Sequence, residues 1–278
     1  MARLLRGMKE GLAMAESRSG FAAGVFLVDK PAGATSFSIV RQVRRLLGIK
    51  KVGHAGTLDP FATGLLIVCA GRPATRLIDR FMAGRKRYRA LLQLGIETET
   101  LDPEGKITGI NPVPVLTEER LRDCLALFTG RRQQVPPMYS AVKHKGRPLY
   151  HYARKGIAIE KEPREVEIHS ICFNGYDPRT HRLAVDVCCS RGTYIRVLAA
   201  EMGKELGCGA FLLRLRRLSS GPFAAARSVP GDALAGPDGL SLLLAGMLPV
   251  ERAVAMLDAA QSRLDGKDGT AVGTTPEN

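Results

Sequence analysis

The sequence predicts a mixed α/β fold, and three patterns predict it. Continuous apolar runs of strand length stand at residues 25–28 and 65–70. Apolar residues recur at helical spacing through residues 36–47 and 117–128. Two alternating segments, 166–173 and 182–189, flank a turn-rich stretch in the manner of a β-hairpin. At 278 residues the chain accommodates one large domain, or a domain with a small appendage. Its 41 Lys and Arg against 27 Asp and Glu leave a formal charge of +14. That surplus favours a polyanionic partner, nucleic acid ahead of an anionic membrane surface, because lysines and arginines on phosphates release counterions. No apolar run approaches the ~18 residues of a membrane span, so a soluble chain is expected. The six cysteines show no Cys-x-x-Cys spacing and read as reduced, packed thiols of a cytoplasmic protein.

Residues 1–22 mix basic residues with leucines, lack the apolar core of a signal peptide, and are expected as a disordered lead-in. A strand at 25–28 ends at Asp29-Lys30-Pro31, with Gly33 completing a turn. Ser36 is the expected N-cap of a helix through Leu47, with Phe37, Val40, Val43 and Leu47 as its apolar stripe and Gly48 closing it. Arg41, Arg44 and Arg45 lie off that stripe. Residues 51–64 read as a loop. Gly53 and Gly56 permit tight backbone turns, and Pro60 biases Asp59 toward an extended conformation. One carboxylate, Asp59, is thereby held against apolar structure, with His54 five residues upstream. A short buried strand follows.

Residues 87–94 alternate as a strand with Tyr88, Ala90, Leu92 and Leu94 on one face. Tyr88, flanked by arginines, reads either as a core residue or as a platform for an unstacked base. Residues 95–105 form a polar, hairpin-like connection. Thr117 caps a helix whose stripe is Leu121, Cys124, Leu125 and Phe128, and Gly130 stands just past its end. From Arg131 to Lys155 there is no acidic residue, and basic residues interleave with Tyr139, Tyr150 and Tyr152. Pro136-Pro137 and Pro148 break regular structure, so residues 131–160 read as an RNA-contact insertion. His144 and His151 have no ligand partners at metal spacing, so no metal is expected. The hairpin strands meet at residues 174–178. Thr193 is the expected N-cap of a helix to Leu206, which sets Arg196 in the first turn. A cation there is disfavoured by the helix dipole unless a carboxylate or phosphate answers it. Residues 211–218 alternate as a strand with one basic face, ending at Gly221-Pro222-Phe223. Residues 259–278 are expected as a disordered tail.

The string Gly53-His54-Ala55-Gly56-Thr57-Leu58-Asp59-Pro60 resembles the active-site motif of the TruB family of tRNA pseudouridine synthases. Lys30-Pro31, Lys86-Arg87-Tyr88-Arg89, Pro136 through Lys143, Gly192-Thr193-Tyr194-Ile195-Arg196 and Leu215-Arg216-Arg217 resemble further family motifs in family order, so the likeness spans about residues 24–253. It implies a pseudouridine synthase fold, a central and largely antiparallel sheet flanked by helices, with the catalytic domain over 23–258. It implies that Asp59 is the nucleophile, that Arg196 pairs with it, and that Tyr88 stacks on the target uracil. His54 would fill the vacated space or contact the displaced nucleotide, while Tyr194 and Leu215 wall the pocket. Lys30, Arg87, Arg132, Lys143, Arg147 and Arg216 would contact RNA, and the Lys30-Pro31 segment would also buttress the site. The implied substrate is the T-loop uridine at position 55 of tRNA, the implied location cytoplasmic, and a monomer is expected. Isomerisation exchanges no electrons, so no cofactor or metal is implied. The chain stops about where a family PUA domain would begin. A non-catalytic tRNA-folding chaperone is the alternative, and a subunit of a guide-RNA particle is a second.

Overall fold

The first apolar run becomes strand β1 (Gly24–Lys30), and helix α1 (Ser36–Leu47) follows it in a computed structural model of the chain. The structure describes residues 21–140 and 161–268, with 143, 144, 147, 148, 152, 157 and 159 between them. The expected lead-in therefore lies outside the described residues up to 20. Strands β2 (Val52–Ala55) and β3 (Thr63–Ala70) precede two short helices, α2 (Arg72–Thr75) and α3 (Ile78–Ala83). Next come β4 (Lys86–Leu94), the pair β5 (Ile96–Thr98) and β6 (Ile107–Ile110), α4 (Glu118–Leu127), and β7 (Gly130–Gln134). The small hairpin β8 (Lys143–His144) and β9 (Arg147–Pro148) leads to β10 (Arg164–Asp177), β11 (Arg182–Cys189) and α5 (Ile195–Glu205). The chain continues through β12 (Ala210–Ser220), β13 (Phe223–Ala224), β14 (Val229–Pro230), α6 (Gly239–Ala245), β15 (Met247–Leu248) and α7 (Val250–Asp268).

Eleven of these strands form one sheet, whose main path runs β14-β1-β3-β12-β4-β11-β10-β7. Its pairings are antiparallel except β1 with β14 and β12 with β3. The fold is thus the mixed α/β arrangement with a largely antiparallel sheet that the sequence implied. The β12–β3 contact is a seam of two residue pairs, Arg216 with Thr63 and Arg217 with Gly64. It joins two half-sheets that bury their apolar residues differently. In the first, β1 and β3 are covered on both faces, by Ile39, Val40, Val43 and Leu243 on one side and by Phe81, Phe223 and Ala253 on the other. That double cover is why both strands read as continuous apolar runs rather than alternations. In the second, helices α4 and α5 cover one face through Leu121, Leu125, Leu198 and Met202, and β4 alternates accordingly.

Local details differ from the sequence expectation in physically clear ways. Thr35, not Ser36, caps α1, its hydroxyl accepting from the Ser38 amide at 2.9 Å. Phe37 is not part of the buried stripe: it stands exposed with Arg41 and Arg44 against its ring, and Ile39 takes the core position. Residues 52–55 are a strand rather than loop, paired along β3. The α4 helix ends on Phe128, and Gly130, at φ 104°, opens β7 instead of capping. Residues 130–134, inside the expected insertion, are thus an edge strand paired with β10. The hairpin turn lies at 178–181, because β10 runs on through a bulge at residues 173–175. Tyr194 occupies the N-cap of α5, while the Thr193 hydroxyl donates to the Ser190 carbonyl at 3.1 Å. Helix α7 carries the chain to Asp268, past the expected boundary at 258. Among the described residues, no helix is long and apolar enough to cross a membrane.

Candidate active site

Asp59 sits on the loop between β2 and β3, and that loop is held from three sides. Ser36 lies at the start of α1 with its hydroxyl buried. It donates to the Leu58 carbonyl at 3.0 Å and accepts from the Leu58 amide at 2.9 Å. The Pro60 carbonyl accepts from the Gly33 amide at 2.9 Å and from Lys30 Nζ at 3.0 Å. Lys30 is fully buried and also donates to the carbonyls of Pro31 and Ala34. Gly56, at φ 84°, gives the loop its left-handed turn.

From the other half-sheet, α5 brings Arg196 to the aspartate. Its Nε lies 3.0 Å from Asp59 Oδ2, and its Nη2 lies 3.4 Å from Oδ1. The same guanidinium lies 3.3 Å from Oδ2 of the buried Asp102 and donates to the carbonyls of Thr100 and Tyr139. Two carboxylates and two carbonyls therefore answer a cation in the first turn of a helix, where the dipole alone would disfavour it. Asp59 keeps a third of its side chain open to a cleft of about 470 Å³, lined also by Tyr88, Tyr194, Arg196, Leu215 and Arg217. Burial is the largest influence on its carboxyl and raises it above the usual aspartate range, against the opposing pull of Arg196. Burial likewise lowers Lys30 and Lys86 to about 8.

Tyr88 enters the cleft from β4 and is nearly buried: its ring packs on the core and also forms a wall of the cleft. Tyr194 is clamped to the sheet edge by Gln134, whose side chain accepts from the Tyr194 amide at 2.7 Å and donates to its carbonyl at 3.1 Å. A carboxylate, its counter-ion, an aromatic wall and an apolar wall thus share one cavity.

A family model described as TruB family pseudouridylate synthase (N terminal domain) matches residues 44–195. The chain belongs to the TruB family. A tRNA pseudouridine synthase B of Desulfotalea psychrophila is 56% identical over 209 residues, covering 73% of this chain and 84% of that protein. One from Bordetella avium is 46% identical over 248 residues, covering 85% of this chain and 99% of that protein. Among solved structures, a chain from a Cbf5-Nop10-Gar1 complex matches with a TM-score of 0.63 at 27% identity. The match covers 84% of this chain and 62% of that one. The chain is accordingly a pseudouridine synthase, an isomerase.

Within this TruB-family site the structure gathers Asp59, Arg196, Tyr88, Tyr194 and Leu215. His54 stands apart from the cleft lining, on β2, with its Nδ1 buried and without a hydrogen-bond partner among the described residues; burial and the Arg217 charge lower its basicity. Among the expected RNA contacts, Arg87 is exposed on β4. Lys30 is a correction: sealed beneath the Asp59 loop, it cannot meet a phosphate, and its work is to hold that loop. Arg216 is bound to Asp29 through two bonds of 2.9 and 2.6 Å. Arg132 lies against the Phe128 ring and 3.3 Å from Glu201. Both guanidinia are thus engaged within the protein. The side chains of Lys143 and Arg147 lie outside the described residues. Sequence reasoning missed Asp102, hidden in what read as a polar connection, as well as Lys86, Gln134 and the inward turn of Arg217. Among the described residues, no group of three or more His, Cys, Asp or Glu could hold a metal ion.

Proposed function

We propose that this chain converts uridine to pseudouridine at position 55 in the T loop of tRNA, with Asp59 as the nucleophile. The observation that carries the reading is the Asp59–Arg196 ion pair at 3.0 Å in a cleft walled by Tyr88 and Leu215, within the family's own motif. The target base is stacked in the T loop and must leave it, at a cost of a few kcal/mol. Tyr88 then offers a face on which the uracil lies, and Leu215 and Tyr194 confine its rotation once the bond to the sugar is broken. Arg196 orients the attacking carboxylate and keeps its ionised form available against burial. The exposed arginines, Arg87 among them, take phosphates of the arm.

The test is incubation of the purified protein with an unmodified tRNA transcript, followed by mapping of pseudouridine base by base. Wild type forms it at position 55. Asp59→Asn loses turnover by at least about 10³-fold while tRNA affinity stays within about threefold, as expected of a group used only in the chemistry. Turnover by the Asn variant would remove Asp59 from its role and favour a tRNA-folding chaperone.

A further inference from the structure

Helix α5 carries Arg196 in its first turn, yet no side chain of its own caps it: Tyr194, at the N-cap, is extended and makes no capping bond. What fixes this end comes from another strand. Gln134, the last residue of β7 and only 2% exposed, lays its carboxamide against the Tyr194 backbone. The side-chain oxygen accepts from the Tyr194 amide at 2.7 Å, and the side-chain nitrogen donates to the Tyr194 carbonyl at 3.1 Å. That carbonyl also takes the first bond of the helix, from the Leu198 amide at 3.1 Å. A carboxamide offers an acceptor and a donor side by side without charge, which is what a single backbone residue needs on its open edge.

The β7–β10 ladder does not require this contact, since Gln134 already pairs with Arg164 through its backbone. Its side chain instead spans 60 residues of sequence to reach the start of α5. Slightly further along the same stretch, the Tyr139 carbonyl accepts from Arg196 Nη2 at 2.8 Å. Between the two, the Pro136 carbonyl accepts from Lys161 Nζ at 2.7 Å. Residues 134–139 thus grip the beginning of α5 by its backbone and the Arg196 guanidinium by its tip.

We propose that Gln134 is a positioning residue for the isomerisation: it sets where α5 begins, and so where Arg196 stands against Asp59 and the Tyr194 ring against the cleft. The inference rests on the proposed role of Asp59 as nucleophile. Gln134→Met tests it, because it keeps the length and the packing and removes both polar atoms. In that variant kcat falls about 10- to 100-fold, while KM stays within about threefold because a buried side chain meets no RNA. A second readout separates positioning from stability. Arg196 and Lys30 pull the Asp59 carboxyl down, against burial and Asp102. A loosened Arg196 pulls less, so the acidic limb of kcat moves up by about half a pH unit or more. Glu104 and the cleft-lining Lys86, Tyr88, Tyr194 and Arg217 are common to both proteins, so the difference reports Arg196. A folded Gln134→Met protein with the wild-type kcat, or one whose kcat falls while its acidic limb stays in place, overturns the proposal. Gln134→Asn, a methylene too short to reach both Tyr194 groups, is judged by the same two criteria and decides the matter if Gln134→Met does not fold. Asp59→Asn runs beside them. If it turns over, the nucleophile reading fails; if it is inactive while Gln134→Met matches wild type, Gln134 alone is refuted.

Discussion

Ser36 offers the sharpest test of how Asp59 is held. If it capped α1, as its position suggests, Ser36→Ala would cost about 1 kcal/mol and leave chemistry alone. The structure gives it another task, because its hydroxyl satisfies both the amide and the carbonyl of Leu58, the residue before Asp59. Removing the oxygen leaves two buried backbone groups unpaired, each worth about 1–3 kcal/mol, so about 2–6 kcal/mol in all. For a domain of this size each kcal/mol moves Tm by about 2–4 °C, giving a fall of roughly 4–24 °C. The freed loop also displaces Asp59 from Arg196, and turnover falls by about tenfold or more. Thr35→Ala, which removes the true cap, lowers Tm by only about 2–4 °C and leaves turnover unchanged. Calorimetry and single-turnover assays on both variants decide the matter. A Ser36→Ala protein that melts with Thr35→Ala and reacts at the wild-type rate would refute the argument.

Burial raises the Asp59 carboxyl, and the proposed nucleophile is its ionised form, so turnover declines as pH falls through that raised value. The acidic limb of kcat/KM therefore lies above the ordinary aspartate titration near ~4, and a limb at or below it would contradict the desolvated site. Arg87 and Arg216 separate free from engaged cations. Arg87→Ala weakens tRNA binding and lowers the slope of log K against log salt by about 1. Arg216→Ala, its charge already answered by Asp29, leaves that slope unchanged. Equal slopes for the two variants would show that exposure does not decide which arginines meet phosphate.

Much of this was legible because periodicity follows burial. The alternation over residues 87–94 placed Tyr88 correctly on the inner face, and the Asp59 motif located the cleft. What escaped depended on contacts distant in sequence. Asp102 looked like turn material because its partner, Arg196, stands on α5, far along the sequence. Arg217 looked like one of several basic strand residues. Between its two register shifts the strand alternates regularly, which puts Arg217 inside with Leu215 and leaves Arg214 out. Thr35 and Ser36 are adjacent hydroxyls of similar capping strength, and only the Leu58 backbone, 22 residues on, distinguishes them.

The seam between β3 and β12 has a consequence for how this protein fails. Seven residue pairs zip β1 to β3, but two join the halves that bring the acid and its guanidinium together. Mild heat or denaturant slackens that short join first, so the enzyme falls silent while its helices and most of its sheet still stand.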